Sequence, residues 1–244
     1  MLRAWIPLAL LLAAPAVHAA PDDDWALERS ASDPALVQQR FDKLRKQPFD
    51  QAQWRALEAA LGKAGLAKKI EISLARSPGD VGLGILDARA RLALGDPRAA
   101  ATRLAELEPR AGKLRSRVFK LRLEALQAAG EHRSAVAALE AAAEAQNDDA
   151  LRLQALEIAE RHQLGPETLR LAQALAARAP TSGSAQLRLA RAAARAGQLA
   201  VAEEAFAKAV AHLRGADQFA AREEWTRARI SAGDPAGAVE LAWA

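Results

Sequence analysis

Hydrophobic positions recur along this chain at helical spacing, and the recurrence itself repeats over a longer interval. Trp54, Leu57 and Leu61 fall three and four residues apart, which lays one apolar stripe along a helix that runs up to Gly65. The phrase then returns as Gly95, Ala100 and Leu104, as Leu126, Gly130, Ala135, Leu139 and Ala142, and as Leu189, Ala190, Ala193, Gly197, Ala202, Phe206 and Ala209. Each copy reads as an Ala- and Leu-rich helix, a Gly, four residues, an Ala, and a second amphipathic helix. Gly65, Gly95, Gly130, Gly197 and Gly233 anchor it, and the double gap before Gly197 accommodates a degenerate copy with Gln163 in the glycine place, for a period of about 34 residues. Glycine suits that place because two antiparallel helices turn sharply there, and glycine takes positive φ without a Cβ penalty. Ala190, Ala193 and Ala202 leave room for paired backbones to approach closely.

The pattern predicts units over 51–80, 81–115, 116–148, 149–182, 183–218 and 219 onward, about six in all with the last incomplete. Turn chemistry falls between the helices at Ser77-Pro78-Gly79-Asp80, Glu108-Pro109, Asn147-Asp148-Asp149, Ala179 to Gly183 and Gly233-Asp234-Pro235. Upstream, Pro34 to Lys46 reads as one further helix, N-capped by Asp33 and ended by Pro48, which would cover the apolar flank of the first unit. Residues 21–32 read as a disordered lead-in, with Trp25 as a residue able to dock. Composition agrees with the pattern: 64 Ala stand against 18 Val, Ile and Thr together, with no Tyr, so a stable sheet lacks its usual residues and the fold class is all-α.

As a set, the Trp, Leu, small-residue, Gly, Ala, Phe and Ala positions, with Pro180 closing the fourth unit, resemble the tetratricopeptide repeat (TPR) family across residues 51–244. Two departures stand out: no unit carries the family's Tyr in its first helix, and the fourth lacks both its Gly and its Ala. The resemblance implies a right-handed α-solenoid of helix-turn-helix repeats whose first helices line a concave protein-binding groove. It places Arg55 and Lys63, then Arg89, then Arg117 and Lys120, then Arg191 and Arg195, then Arg227 on that groove, opposed by Glu124, Glu157, Glu160 and Glu223. Independently of the family, Arg117, Lys120, Glu124 and Gln127 share one helical stripe, and the run Arg110 to Arg122 holds six cations with no acid between them. Such a groove favours an acidic peptide or protein partner.

Residues 1–20 read as a secretory signal peptide: Arg3, an apolar run from Trp5 to Val17, and small residues at Val17-His18-Ala19. The run is shorter than the roughly 20 residues of a membrane-spanning helix. With no Cys, lipoprotein anchoring, disulfides and thiolate metal sites are all excluded, and the expectation is a soluble protein exported to the periplasm of a Gram-negative bacterium. A net charge of only +4 argues against nucleic acid.

Catalytic, cofactor and metal motifs do not emerge. His132, His162 and His212 have no His or Cys at ligand spacing and read as surface residues, and Gly82-Leu83-Gly84 lacks the third glycine and the preceding strand of a dinucleotide fingerprint. Adjacent acids such as Glu203-Glu204 and Glu223-Glu224 point to different helix faces. The expected function is therefore a non-enzymatic scaffold in a cell-envelope assembly. The alternative is the helical superhelix of a larger periplasmic enzyme, such as a lytic transglycosylase, whose catalytic part is elsewhere. The final helix stops at Leu241-Ala242-Trp243-Ala244 without a polar cap, which leads to the expectation that the chain is the front part of a longer polypeptide and that residues 219–244 order poorly alone.

Overall fold

Aspartate starts half of the described helices of this protein, and left-handed residues turn its hairpins. Asp33 accepts from the Ala35 amide at 2.9 Å, Asp50 from Ala52 and Gln53, Asp96 from Ala99, and Asp148 from Ala150 and Leu151, each satisfying amides that have no partner within the helix. The computed structural model describes residues 33–243, so the expected signal peptide over 1–20 and the expected lead-in over 21–32 with Trp25 lie outside the described residues. Within them every regular element is helical. Packing divides the chain into two units, Met1–Leu86 and Asp87–Ala244.

In the first unit, α1 (Pro34–Lys46) lies on α2 (Gln51–Arg76), and the start of α3 (Val81–Ala93) closes the unit. Val37, Phe41 and Leu44 of α1 are buried, as are Trp54, Leu57, Leu66 and Ile70 of α2. Helix α2 is not continuous: Gly62 adopts φ 70° and ψ 165° and breaks it. The turn therefore sits at Gly62, three residues before the Gly65 that the sequence pattern selects. Gly65 lies inside the helix, its position for a Cβ 3.4 Å from that of Leu61.

The second unit continues with α4 (Pro97–Leu107), two short 3-10 turns (Glu108–Arg110 and Gly112–Leu114), α5 (Arg115–Ala128), α6 (His132–Gln146), α7 (Asp149–Arg161), α8 (Gly165–Arg178), α9 (Gly183–Arg195), α10 (Leu199–His212), α11 (Gly215–Ser231) and α12 (Pro235–Trp243). From α4 onward each helix packs on the next in the chain. Such one-dimensional stacking defines a solenoid of helical hairpins, each burying its apolar face against its neighbours. The last hairpin begins at Gly215, four residues earlier than the pattern places it, because Leu213 and Arg214 are extended and end α10 there.

The hairpin turns share one construction. Gly95, Gly130, Gln163, Gly197 and Gly233 all have positive φ. The next residue then donates to the carbonyl five positions back: Asp96 to Arg91, Glu131 to Leu126, Leu164 to Ala159, Gln198 to Ala193 and Asp234 to Arg229, at 2.9–3.0 Å. This is the Schellman closure of a helix end. Five residues past each turn residue stands a buried small side chain, Ala100, Ala135, Thr168, Ala202 or Ala238. The degenerate fourth unit is thus built like the others, with Gln163 holding φ 54° where its neighbours use glycine. A side chain in that conformation costs about 1–2 kcal/mol, against a loss of about 0.4–1 kcal/mol from a glycine's freer unfolded chain. Gln163→Gly should therefore raise stability by up to about 1 kcal/mol, read as a higher urea midpoint at unchanged slope. A lower midpoint would show that the Gln163 side chain stabilises the turn by contacts of its own.

Candidate protein-binding surface

The first helix of each hairpin carries the candidate residues except Lys63. Lys63 follows the break at Gly62 and so stands on the second arm of the first hairpin, because the turn falls three residues earlier than the Gly65 expected from the sequence. In the first unit, Arg55 and Lys63 are exposed on α2. In the second unit, Arg89 is half-buried on α3, Arg117 and Lys120 are exposed on α5, Arg191 and Arg195 lie on α9, and Arg227 lies on α11. The charges on these helices do not remain separate. Arg191 grips Glu224 of the next first helix through Nε and Nη2, both at 2.6 Å. Arg188, on the same helix, reaches back to Glu160 of α7 at 2.7 Å and to Glu157 at 3.8 Å. Arg227 pairs with Glu223 one turn earlier on its own helix.

This ladder sorts the expected cations. Arg191 and Arg227 are engaged inside the repeat array, whereas Lys120 on α5 and Arg195 on α9 form no ion pair with another described residue. Nearby, Glu108 in the 3-10 turn draws in Arg122 at 3.1 Å and Arg115 at 3.7 Å, so the six-cation run is partly offset by an acid just upstream of it. Lys113 and Lys120 stay exposed without ion pairs, beside exposed Arg117. Lys113 and Lys120 thus place positive charge without ion pairs on α5 and the turn leading into it.

The Arg191 fork also acts on its partner. Its hydrogen bonds hold the Glu224 carboxyl below the usual glutamate range against the opposing effect of burial. On the second helices the same arrangement recurs at roughly one repeat spacing: Arg98 with Glu131, Arg133 with Glu167, and Arg170 with Glu140; Arg229 of α11 pairs with Glu203 of the preceding α10. Arginine suits this role because its planar fork meets a carboxylate with two parallel bonds. Neither Arg188 nor Glu224 belonged to the groove set expected from the sequence, since their register depends on how neighbouring repeats stack. Glu223 and Glu224 do point apart, the first along its own helix and the second across to α9.

Two histidines expected to lie singly on the surface come together. His132 at the start of α6 and His162 at the end of α7 stack with ring centroids 3.3 Å apart and planes 11° from parallel. His212 is exposed. Among the described residues no group of three or more His, Cys, Asp or Glu could hold a metal, and no helix is long and apolar enough to cross a membrane. One depression of about 270 Å³ lies between α10 and the α11–α12 turn, floored by Leu199 and Phe206 and rimmed by Glu203, Arg229 and Asp234. Its charged rim is already paired, Arg229 with both acids.

No protein-family model matches the sequence, and no curated protein matches it. Among solved structures, a Podospora anserina kinesin light chain with nearly identical TPR-like repeats aligns at 24% identity over 63% of this chain and 87% of its own, with a TM-score of 0.42. The repeat architecture of this protein stands on its own helix pairing and turn construction.

Proposed function

We propose that this protein is an exported, non-enzymatic scaffold that binds an acidic protein segment along its first helices and serves an assembly of the cell envelope. The observation that carries the binding role is the asymmetry of charge within the second unit. On α7, α9 and α11 the first-helix ion pairs are made between repeats or along one helix, while Lys113 and Lys120 are exposed without ion pairs. An acidic chain laid on α5 would meet these cations without having to displace the ladder. Export is supported by the leader-like composition of residues 1–20.

The test uses a fluorescent Asp/Glu-rich dodecapeptide and its Asn/Gln counterpart. The acidic peptide should bind and the amide version should not, with affinity falling as salt rises. Exposed charge pairs contribute about 0.2–1 kcal/mol each, so reversing two charges (Arg117→Glu with Lys120→Glu) should weaken binding by about 1–3 kcal/mol at low ionic strength. Equal binding of the two peptides, or unchanged affinity in the double variant with intact helicity, would remove α5 as the docking helix.

A further inference from the structure

His132 and His162 are 30 positions apart in sequence and meet where the second helix of one hairpin begins and the first helix of the next ends. Both rings are only partly exposed, and the Nδ1 atom of His132 is buried with no hydrogen-bond partner. The contact therefore joins α6 to α7, a junction between consecutive repeats, through two groups that change charge near neutral pH. Face-to-face rings at this distance tolerate two neutral imidazoles. Two imidazolium ions in the same place would repel at close range, and a proton on His132 Nδ1 would become a buried donor without an acceptor.

The surrounding charges do not cancel that cost. Glu131, just before α6, and Arg133 flank His132; on α7, Glu160 and Arg161 precede His162; and Glu167 stands in the first turn of α8. Glu131 is paired with Arg98 at 3.3 Å, Glu167 with Arg133 at 3.1 Å, and Glu160 with Arg188 at 2.7 Å, so each nearby acid already faces an arginine. The other oxygen of Glu167, Oε2, is buried without a partner. Desolvation first, then His132, then Arg161 hold the His162 imidazole below its ordinary value despite the acids nearby.

We propose that the His132–His162 stack is a pH-operated latch between the third and fourth repeats, closed while both rings are neutral and parted when they are protonated. The sign follows from the depressed value of His162. Its contribution to stability is complete above the ordinary imidazole value near 6.5 and is lost as pH falls through the lower value held in the folded chain. Opening would separate the start of α6 from the end of α7 and change the register of the hairpins on either side.

The full chain tests this directly. Ring proton and carbon signals of the histidines are followed by NMR from pH 8 to 4.8, and amide exchange is compared at pH 7.5 and 5.5 after correction for intrinsic rates. His162 should titrate below 6.5, and amides in residues 129–136 and 158–166 should lose about tenfold protection at the lower pH while residues 98–107 keep theirs. The double variant His132→Gln with His162→Gln should show no such local loss between the two pH values. Paired carboxylates such as Glu224 stay charged across this window, so they do not contribute to it. Titration of His162 at or above 6.5, or equal protection at both pH values in the native chain, would overturn the proposal, and neither readout depends on the variant folding.

Discussion

Replacing Phe206 with Ala should detach the last hairpin from the array while the preceding repeats stay folded. Phe206 on α10 is 2% exposed and sits among Ala190, Ala193, Ala202 and Ala205, the small residues that let α9 and α10 approach each other. Its other face stacks on Trp225 of α11, with ring centroids 6.1 Å apart and planes nearly parallel. Arg229 lies over the Trp225 ring and grips Glu203 of α10, so the aromatic pair and the ion pair close the same junction. Large-to-small changes of this kind cost about 3–5 kcal/mol, and the methyl groups of the alanine neighbours are too short to refill the space. A globular domain would spread that loss over its whole transition. In a stack whose units touch only their neighbours, the loss falls on one interface, and that interface separates. Urea unfolding of Phe206→Ala should therefore split into two steps, with residues 215–243 exchanging amide protons quickly and residues 97–178 retaining wild-type protection. A single transition with a uniform loss of protection would show that the second unit folds as one cooperative body.

The same locality explains what could be read from the sequence and what could not. The period was legible because a turn glycine and a buried alanine five residues later leave a mark wherever they occur. It was strong enough to place Gln163, a residue with no glycine signature, in a left-handed turn. The first unit misled because two glycines lie close together. Gly62 stands 33 residues before Gly95 and Gly65 stands 30 before it, so the regularity of the period favoured Gly62, while the apolar stripe through Leu61 drew attention to the later one. The all-helical class followed from composition alone.

Charges were legible only along a single helix. Arg227 with Glu223 is an i,i+4 pair that helical spacing predicts, whereas Arg191 with Glu224 depends on the offset between two neighbouring first helices. Counting cations on each helix therefore overstated the open positive surface, and stacking removed Arg191 from it. The histidine pair was illegible for a related reason. Its members lie at opposite ends of two different helices, and nothing in their local sequence reports that the hairpin junction brings those ends together.

Glycines at helix starts give a second large effect, and here two positions with the same residue should respond differently. Gly82 opens α3 against the end of α1: a Cβ there would overlap the Arg45 carbonyl oxygen, a backbone atom that cannot rotate aside. Asp80 fixes the same junction, accepting from the Leu83 amide at 2.8 Å and from Arg45 Nε at 2.8 Å. The glycine pair Gly82 and Gly84 thus owes its first member to close packing rather than to a phosphate. Gly82→Ala forces α1 and α3 apart and strains the Arg45–Asp80 pair, at a cost of about 1–3 kcal/mol that exceeds the gain of about 1 kcal/mol from helix propensity. Gly237 in α12 differs, since its added methyl would meet the Asp234 and Arg229 side chains rather than a backbone atom, and Asp234 moves aside only by giving up its hydrogen bond from the Gly237 amide at 2.9 Å. In Gly237→Ala the gain of about 1 kcal/mol in helix propensity and the loss of about 1 kcal/mol of capping should nearly offset. Thermal melts should place Gly82→Ala well below the native value and Gly237→Ala close to it. If Gly82→Ala melts at or above the native temperature, α1 and α3 have room that this packing denies them, and the close approach at Arg45 is not what selects glycine there.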